Sequence, residues 1–187
     1  MAIKILSSVV NGVKGGLKSA LQGSADLAST VVDSVKNLAV TSLKGVGDIV
    51  SMGIQIPASI VKGALDSIAD IGTSTIKLVK GVVNGAVQGA MESGVEQEDA
   101  VKGSVSQAIH SAKELGLNIA DVAVEAVKGS VNGVKQVGGD TVSATKNSIM
   151  AALEAAQSIG DEAVESVKSS LHSGVDGARE VLDEIKK

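Results

Sequence analysis

The sequence predicts an all-α protein organised around a very long amphipathic helix, and three observations predict it. Apolar and small residues return at every eleventh position through all 187 residues, 17 units without a slip in register. Eleven residues make three turns of about 3.67 residues, the period of a straight or slightly right-handed supercoiled helix and not of the left-handed heptad coil. Charge is sorted against the same period. When residues are placed in columns eleven apart, the six columns beginning at Met1, Ala2, Ile5, Leu6, Val9 and Val10 hold 102 positions, and of the 38 charged residues only Glu98 and Lys186 fall among them. At about 98° per residue these columns are contiguous and span roughly 160° of a helical wheel.

Residues 1–187 therefore read as a single hendecad-repeat region. Met1 to Asn11 begins like a signal peptide, but Ser7 and Ser8 break the apolar run and the segment joins the repeat register as its first helical unit. Pro57 lies inside the apolar arc and predicts a kink or a first-turn position. The run 92–99, Glu-Ser-Gly-Val-Glu-Gln-Glu-Asp, is the most polar in the chain and places Glu98 in an otherwise apolar column. It predicts a hairpin break between two arms of about 90 residues or, alternatively, lies on one continuous helix on the order of 280 Å long at about 1.5 Å per residue.

Composition decides how such a helix is stabilised. The chain has 22 glycines, one proline and no Phe, Tyr, Trp or Cys, so its apolar surface is built from many small contacts. At about 1 kcal/mol per helical glycine, the propensity deficit is of order 20 kcal/mol. An isolated amphipathic helix of this kind is expected to stay disordered until its apolar face finds a partner. The expected partner is another copy of the chain, with lipid or another hydrophobic molecule as a candidate guest.

The polar side is asymmetric. Lys14, Lys36, Lys80, Lys102, Lys113, Lys135, Lys146, Lys168 and Arg179 form a basic edge along one border of the apolar arc. The next columns around the wheel are mixed and then increasingly acidic, with Asp26, Asp48, Asp70, Glu92, Glu114, Glu125 and Glu180 in one, and the far edge carries Glu96, Asp140, Glu162 and Glu184. Parallel helices side by side would bring a basic edge against an acidic one, each pair contributing a few tenths of a kcal/mol and setting orientation. Lysines at an apolar border also simply snorkel to water. An apolar arc this wide exceeds a dimeric seam, which points to a right-handed coiled-coil bundle or an α-helical tube with an apolar interior. Along the column from Val61, large and small alternate: Val61, Gly72, Val83, Gly94, Val105, Gly116, Val127, Gly138, Ile149, Gly160, Leu171. Glycine in every second unit reads as close helix packing on the apolar face. Glu98 reads as a polar constriction of the interior or as part of a loop.

Seventeen basic against 21 acidic residues, a net charge of −4, and the absence of aromatic rings argue against nucleic-acid binding. No stretch reaches 18 apolar residues, so no transmembrane span is expected. The lack of cysteine removes disulfide and thiolate chemistry and fits a reducing compartment, either the cytoplasm or a position peripheral to a lipid surface. His110 and His172 fall on the polar side far from each other in sequence, and no metal, phosphate-loop or dinucleotide motif occurs. A non-enzymatic protein without a cofactor is expected.

The recurring Val-Lys-Gly steps, as in Val101-Lys102-Gly103-Ser104-Val105 and Val127-Lys128-Gly129-Ser130-Val131, resemble the eleven-residue amphipathic repeats of perilipins and, more loosely, of synucleins and late-embryogenesis-abundant proteins. The period equally resembles that of prokaryotic right-handed hendecad coiled coils. The first resemblance implies a lipid-droplet or membrane-surface coat that folds on lipid contact, or a stress protectant. The second implies a self-assembling structural protein, which is the leading expectation.

Overall fold

The computed structural model describes residues 2–47, 49–72 and 74–186, apart from the side chains of Ala2 and Val50. The chain is all-helical, and the long helix is replaced by a succession of short ones. These are α1 (Ala2–Gln22), α2 (Leu27–Leu43), the single turn α3 (Ile49–Met52), α4 (Gln55–Ile71), α5 (Thr75–Glu92), α6 (Gln97–Glu114), α7 (Ile119–Gln136), α8 (Thr141–Ile159), α9 (Asp161–Gly174) and α10 (Ala178–Ile185). The continuous helix is not formed, and the break that 92–99 offered as the alternative is one of a series. Pro57 sits in the first turn of α4, where its missing N–H has no intrahelical partner to lose.

The helices α5 to α8 begin at Thr75, Gln97, Ile119 and Thr141, so one helix and its turn occupy two of the eleven-residue units. The turns explain the spacing. In three of them the last helical turn closes with the paired bonds of a Schellman motif: Val95 N–H donates to Ala90 C=O, Leu117 to Ala112 and Gly139 to Val134, while Gly94, Gly116 and Gly138 N–H bond to Met91, Lys113 and Lys135. Gly72, Gly94, Gly116 and Gly138 have φ of +78°, +101°, +68° and +75°. This left-handed backbone carries a penalty for any residue with a Cβ. Gly116→Ala is accordingly expected to lower stability by about 1 kcal/mol although nothing lies within 4 Å of the new methyl group, as urea melts will read. These regularly spaced glycines are thus helix terminators, and not the packing notches of a continuous face. The alternating Val61, Val83, Val105, Val127 and Ile149 stand in mid-helix and Leu171 in the last turn of α9, and all six are fully buried.

Helices stack in two layers. One contains α1, α4, α6 and α8, the other α2, α5, α7 and α9; each helix packs on the one before it in its own layer and on its sequence neighbours in the other. Chain reversal at each turn makes helices within a layer parallel. Glycine positions register them. Along α5, a Cβ on Gly85 would stand 2.5 Å from Val32 C=O and 2.9 Å from Val35 Cβ of α2, and one on Gly89 would stand 3.0 Å from Lys36 C=O. Gly63 of α4 meets Val10 C=O of α1 in the same way, Gly103 of α6 meets Ile54, and Gly129 of α7 meets Lys80. The sequence offset to the partner is longer for Gly63 and Gly85 than for Gly103 and Gly129, because the connection through α3 lengthens the first repeat.

The apolar columns become the core shared by the two layers, with Leu17, Ile56, Ile60, Leu65, Ile68, Ile109, Ile149 and Leu171 its largest fully buried side chains. The partner that the amphipathic pattern requires is therefore the rest of the same chain. The accessible surface of 8663 Å² is close to the ~8,200 Å² expected of a compact protein of this mass. Among the described residues, eight glycines have positive φ and lie at helix ends or in turns, which reduces the propensity deficit reckoned for one unbroken helix. Ser67 and Ser104 place hydroxyls in the core without a hydrogen-bond partner. Burying an unpaired hydroxyl costs about 1–3 kcal/mol, so Ser67→Ala and Ser104→Ala are each expected to raise stability by roughly 1 kcal/mol in denaturant titrations.

Candidate functional site

The polar groups of the stack organise along its sides and at its two ends. On the sides, a lysine of one helix pairs with a carboxylate of the next parallel helix in its layer. Lys14 of α1 meets Asp70 of α4 at 2.9 Å, Lys36 of α2 meets Glu92 of α5 at 2.9 Å, and Lys62 of α4 meets Glu114 of α6 at 2.9 Å. The basic edge against the acidic column is thus formed between successive helices of one chain. The hydrogen bond and charge of Asp70 raise the Lys14 pKa, and those of Lys14 lower that of Asp70. Lys62, absent from the basic edge because its column is not basic, has its pKa raised chiefly by the hydrogen bond to Glu114.

The remaining edge residues are used differently. Lys102 pairs within α6 with Glu98 at 2.6 Å, Lys168 within α9 with Glu165 at 3.6 Å, and Lys146 of α8 reaches Glu184 of α10 at 3.5 Å. Arg179 Nε donates to His172 Nε2 at 3.1 Å, which ties α10 to α9. Lys113 and Lys135 occupy the last turns of α6 and α7, where a positive charge opposes the exposed carbonyls. Lys80 lends its backbone carbonyl to the close approach of Gly129. Glu98 is an exposed residue in the first turn of α6 and constricts no interior, a position that suits its charge at a helix N-terminus. His110 bonds Ser158 across α6 and α8 at 3.1 Å. Asp48 lies outside the described residues.

The far acidic column marks helix starts. Ser74, Glu96, Asn118 and Asp140 are the N-cap residues of α5, α6, α7 and α8, each the second residue after a turn glycine. Asp140 is the most elaborate: Oδ1 accepts from Val142 and Ser143 N–H at 3.0 and 3.1 Å, and Oδ2 from the Ser143 hydroxyl at 2.8 Å. Gln97 clasps the same residue by its backbone, its amide donating to Asp140 C=O at 2.8 Å and accepting from Asp140 N–H at 2.9 Å. The Ser143 hydroxyl and backbone hold the Asp140 carboxyl below its usual range, and Ser29 does the same for Asp26.

A lowered pKa in the folded state means that the unfolded chain takes up the proton first. The contribution of Asp26, Asp70 and Asp140 is complete above the unfolded carboxylate value of about 3.9 and is lost as pH falls through the folded values. The melting temperature is expected to be level from pH 7 to about 5 and to fall below about 4, with Asp140→Asn retaining the cap and making the fall shallower.

At the ends of the stack, two helix faces have no neighbouring helix among the described residues. On α1 the residues Lys4, Ser8, Asn11, Gly15 and Lys18 are exposed along one side. At the opposite end, the short α10 spans only part of α8, and α8, α9 and α10 border a groove lined by Met150, Leu153, Val164 and Ile185 with Glu154 and Glu165 on its rim. The ends also differ in charge. Residues 1–47 carry five lysines and two aspartates, whereas residues 141–187 carry five basic and eight acidic side chains. Among the described residues, no group of side chains suited to a metal ion occurs and no helix is long and apolar enough to cross a membrane.

No protein-family model matches the chain and no curated protein matches it. Among solved structures it is similar to the crystal structure of the de novo designed helical repeat protein DHR7, at 18% identity and a TM-score of 0.54, over 95% of each chain. The chain has a helical-repeat fold. At this identity the likeness concerns architecture alone.

Proposed function

We propose that the protein is a non-enzymatic structural element, a short helical-repeat stack that associates with copies of itself. The carrying observation is the opposite charge of its two ends, each of which leaves a helix face without a neighbour. A repeat stack adds each helix to the face left open by the preceding ones, so its ends are the natural place for further association. Side-chain chemistry supports the same reading, since the lysines and carboxylates described above serve as inter-helix pairs and helix caps. A lipid guest in an apolar lumen is a weaker reading, because the apolar columns are filled by the chain's own buried side chains. Native mass spectrometry in detergent-free buffer tests the proposal over a range of concentration and salt. Oligomers that grow with concentration and shorten with salt are expected, and a monomer under every condition would overturn it.

A further inference from the structure

We infer that the association is head to tail: the outer face of α1 of one copy, centred on Gly15, seats in the groove that α8, α9 and α10 leave open on the next. The argument rests on the reading above and adds the two surfaces to it. Within the stack, α4, α5, α6 and α7 each seat on the parallel predecessor through a glycine that lets backbone meet backbone, as Gly63 of α4 does on Val10 of α1. Allowing for the insertion at α3, Gly15 occupies in α1 the place that Gly63 occupies in α4. Gly15 has nothing within 4 Å, so α1 carries this seating position unused on the outside of the stack.

The receiving end complements it. Met150, Leu153, Val164 and Ile185 present an apolar floor that is half-buried at the first three positions and 45% exposed at Ile185. Glu154, Asp161 and Glu165 border this floor together with Lys168, which pairs with Glu165, so the rim is acidic on balance, while Lys4 and Lys18 flank the small residues of the α1 face. Because the two surfaces differ, the contact is heterologous and one copy can receive while it also donates.

Two variants separate the surfaces without touching the core. Gly15→Glu places a bulky negative side chain on the donating face, and the double variant Glu154→Lys and Glu165→Lys reverses the rim of the receiving groove. Circular dichroism establishes that each is folded. In native mass spectrometry each variant alone is expected to lose the oligomers of the unmodified protein, and a mixture of the two to form a single one-to-one dimer, through the Glu154→Lys, Glu165→Lys copy's intact α1 face and the Gly15→Glu copy's intact groove. Oligomers that persist in either variant, or a mixture that stays monomeric, would overturn the head-to-tail contact while leaving self-association standing. A monomeric unmodified protein would overturn both.

Discussion

Gly85→Ala is expected to destabilise the protein by roughly 2 kcal/mol, although alanine is the better helix former by about 1 kcal/mol. The new Cβ would stand 2.5 Å from the carbonyl oxygen of Val32 and 2.9 Å from Val35 Cβ, so two backbones must separate to admit it. A flexible side chain can swing aside, but a helix carbonyl moves only with its helix. Gly15→Ala supplies the control. That glycine is exposed in the interior of α1 with nothing within 4 Å in its own chain, and at concentrations where the protein is monomeric the same substitution there is expected to stabilise by about 1 kcal/mol. Opposite signs from one chemical change, read in parallel urea titrations, distinguish a stack of touching helices from an isolated one, in which both substitutions would stabilise.

Ile109→Ala carries the largest expected loss, about 3 kcal/mol within the roughly 2–5 kcal/mol typical of buried isoleucine. Ile109 is fully buried in α6, which packs against α4 and α8 in its own layer and against α5 and α7 in the other. A cavity there weakens contacts on both sides of the stack, because each repeat is stabilised through its neighbours. The denaturation midpoint should fall with little change in slope. A loss below about 1 kcal/mol would mean that the interior around Ile109 is not closely packed.

The helical character and the buried residues were legible in the sequence, and the chain reversals were hidden by arithmetic. A helix of 18 residues and its short turn together fill two eleven-residue periods, so the chain returns to the same phase as it would by three-turn steps along an unbroken helix. Periodicity alone does not separate the two. Local turn chemistry does: Gly94-Val95-Glu96, Gly116-Leu117-Asn118 and Gly138-Gly139-Asp140 each place a left-handed glycine just before the N-cap of the next helix. Read as columns, the glycines joined an apolar face and the N-caps an acidic edge. Of the glycines that bring backbones together, Gly63, Gly85 and Gly129 lie in the same far column as Glu96 and Asp140, alternating middle and end of helix, and Gly103 lies in the column of Asp70, Glu92 and Glu114. The ladder of Lys14, Lys36 and Lys62 with carboxylates on the next helix of the same layer needed the fold, since no local spacing announces it.

The central claim is that the hendecad pattern folds back on itself within one chain. The chain has no cysteine, so spin labels at Lys14→Cys and Asp70→Cys, diluted with unlabelled protein, report a single intramolecular distance. These side chains meet across α1 and α4, and their exposed ion pair contributes little to stability, so the labels should leave the fold intact. Pulsed dipolar spectroscopy is predicted to find one narrow distance of no more than about 25 Å, whereas an unbroken helix rising about 1.5 Å per residue would separate the labels by about 80 Å and contradict the account.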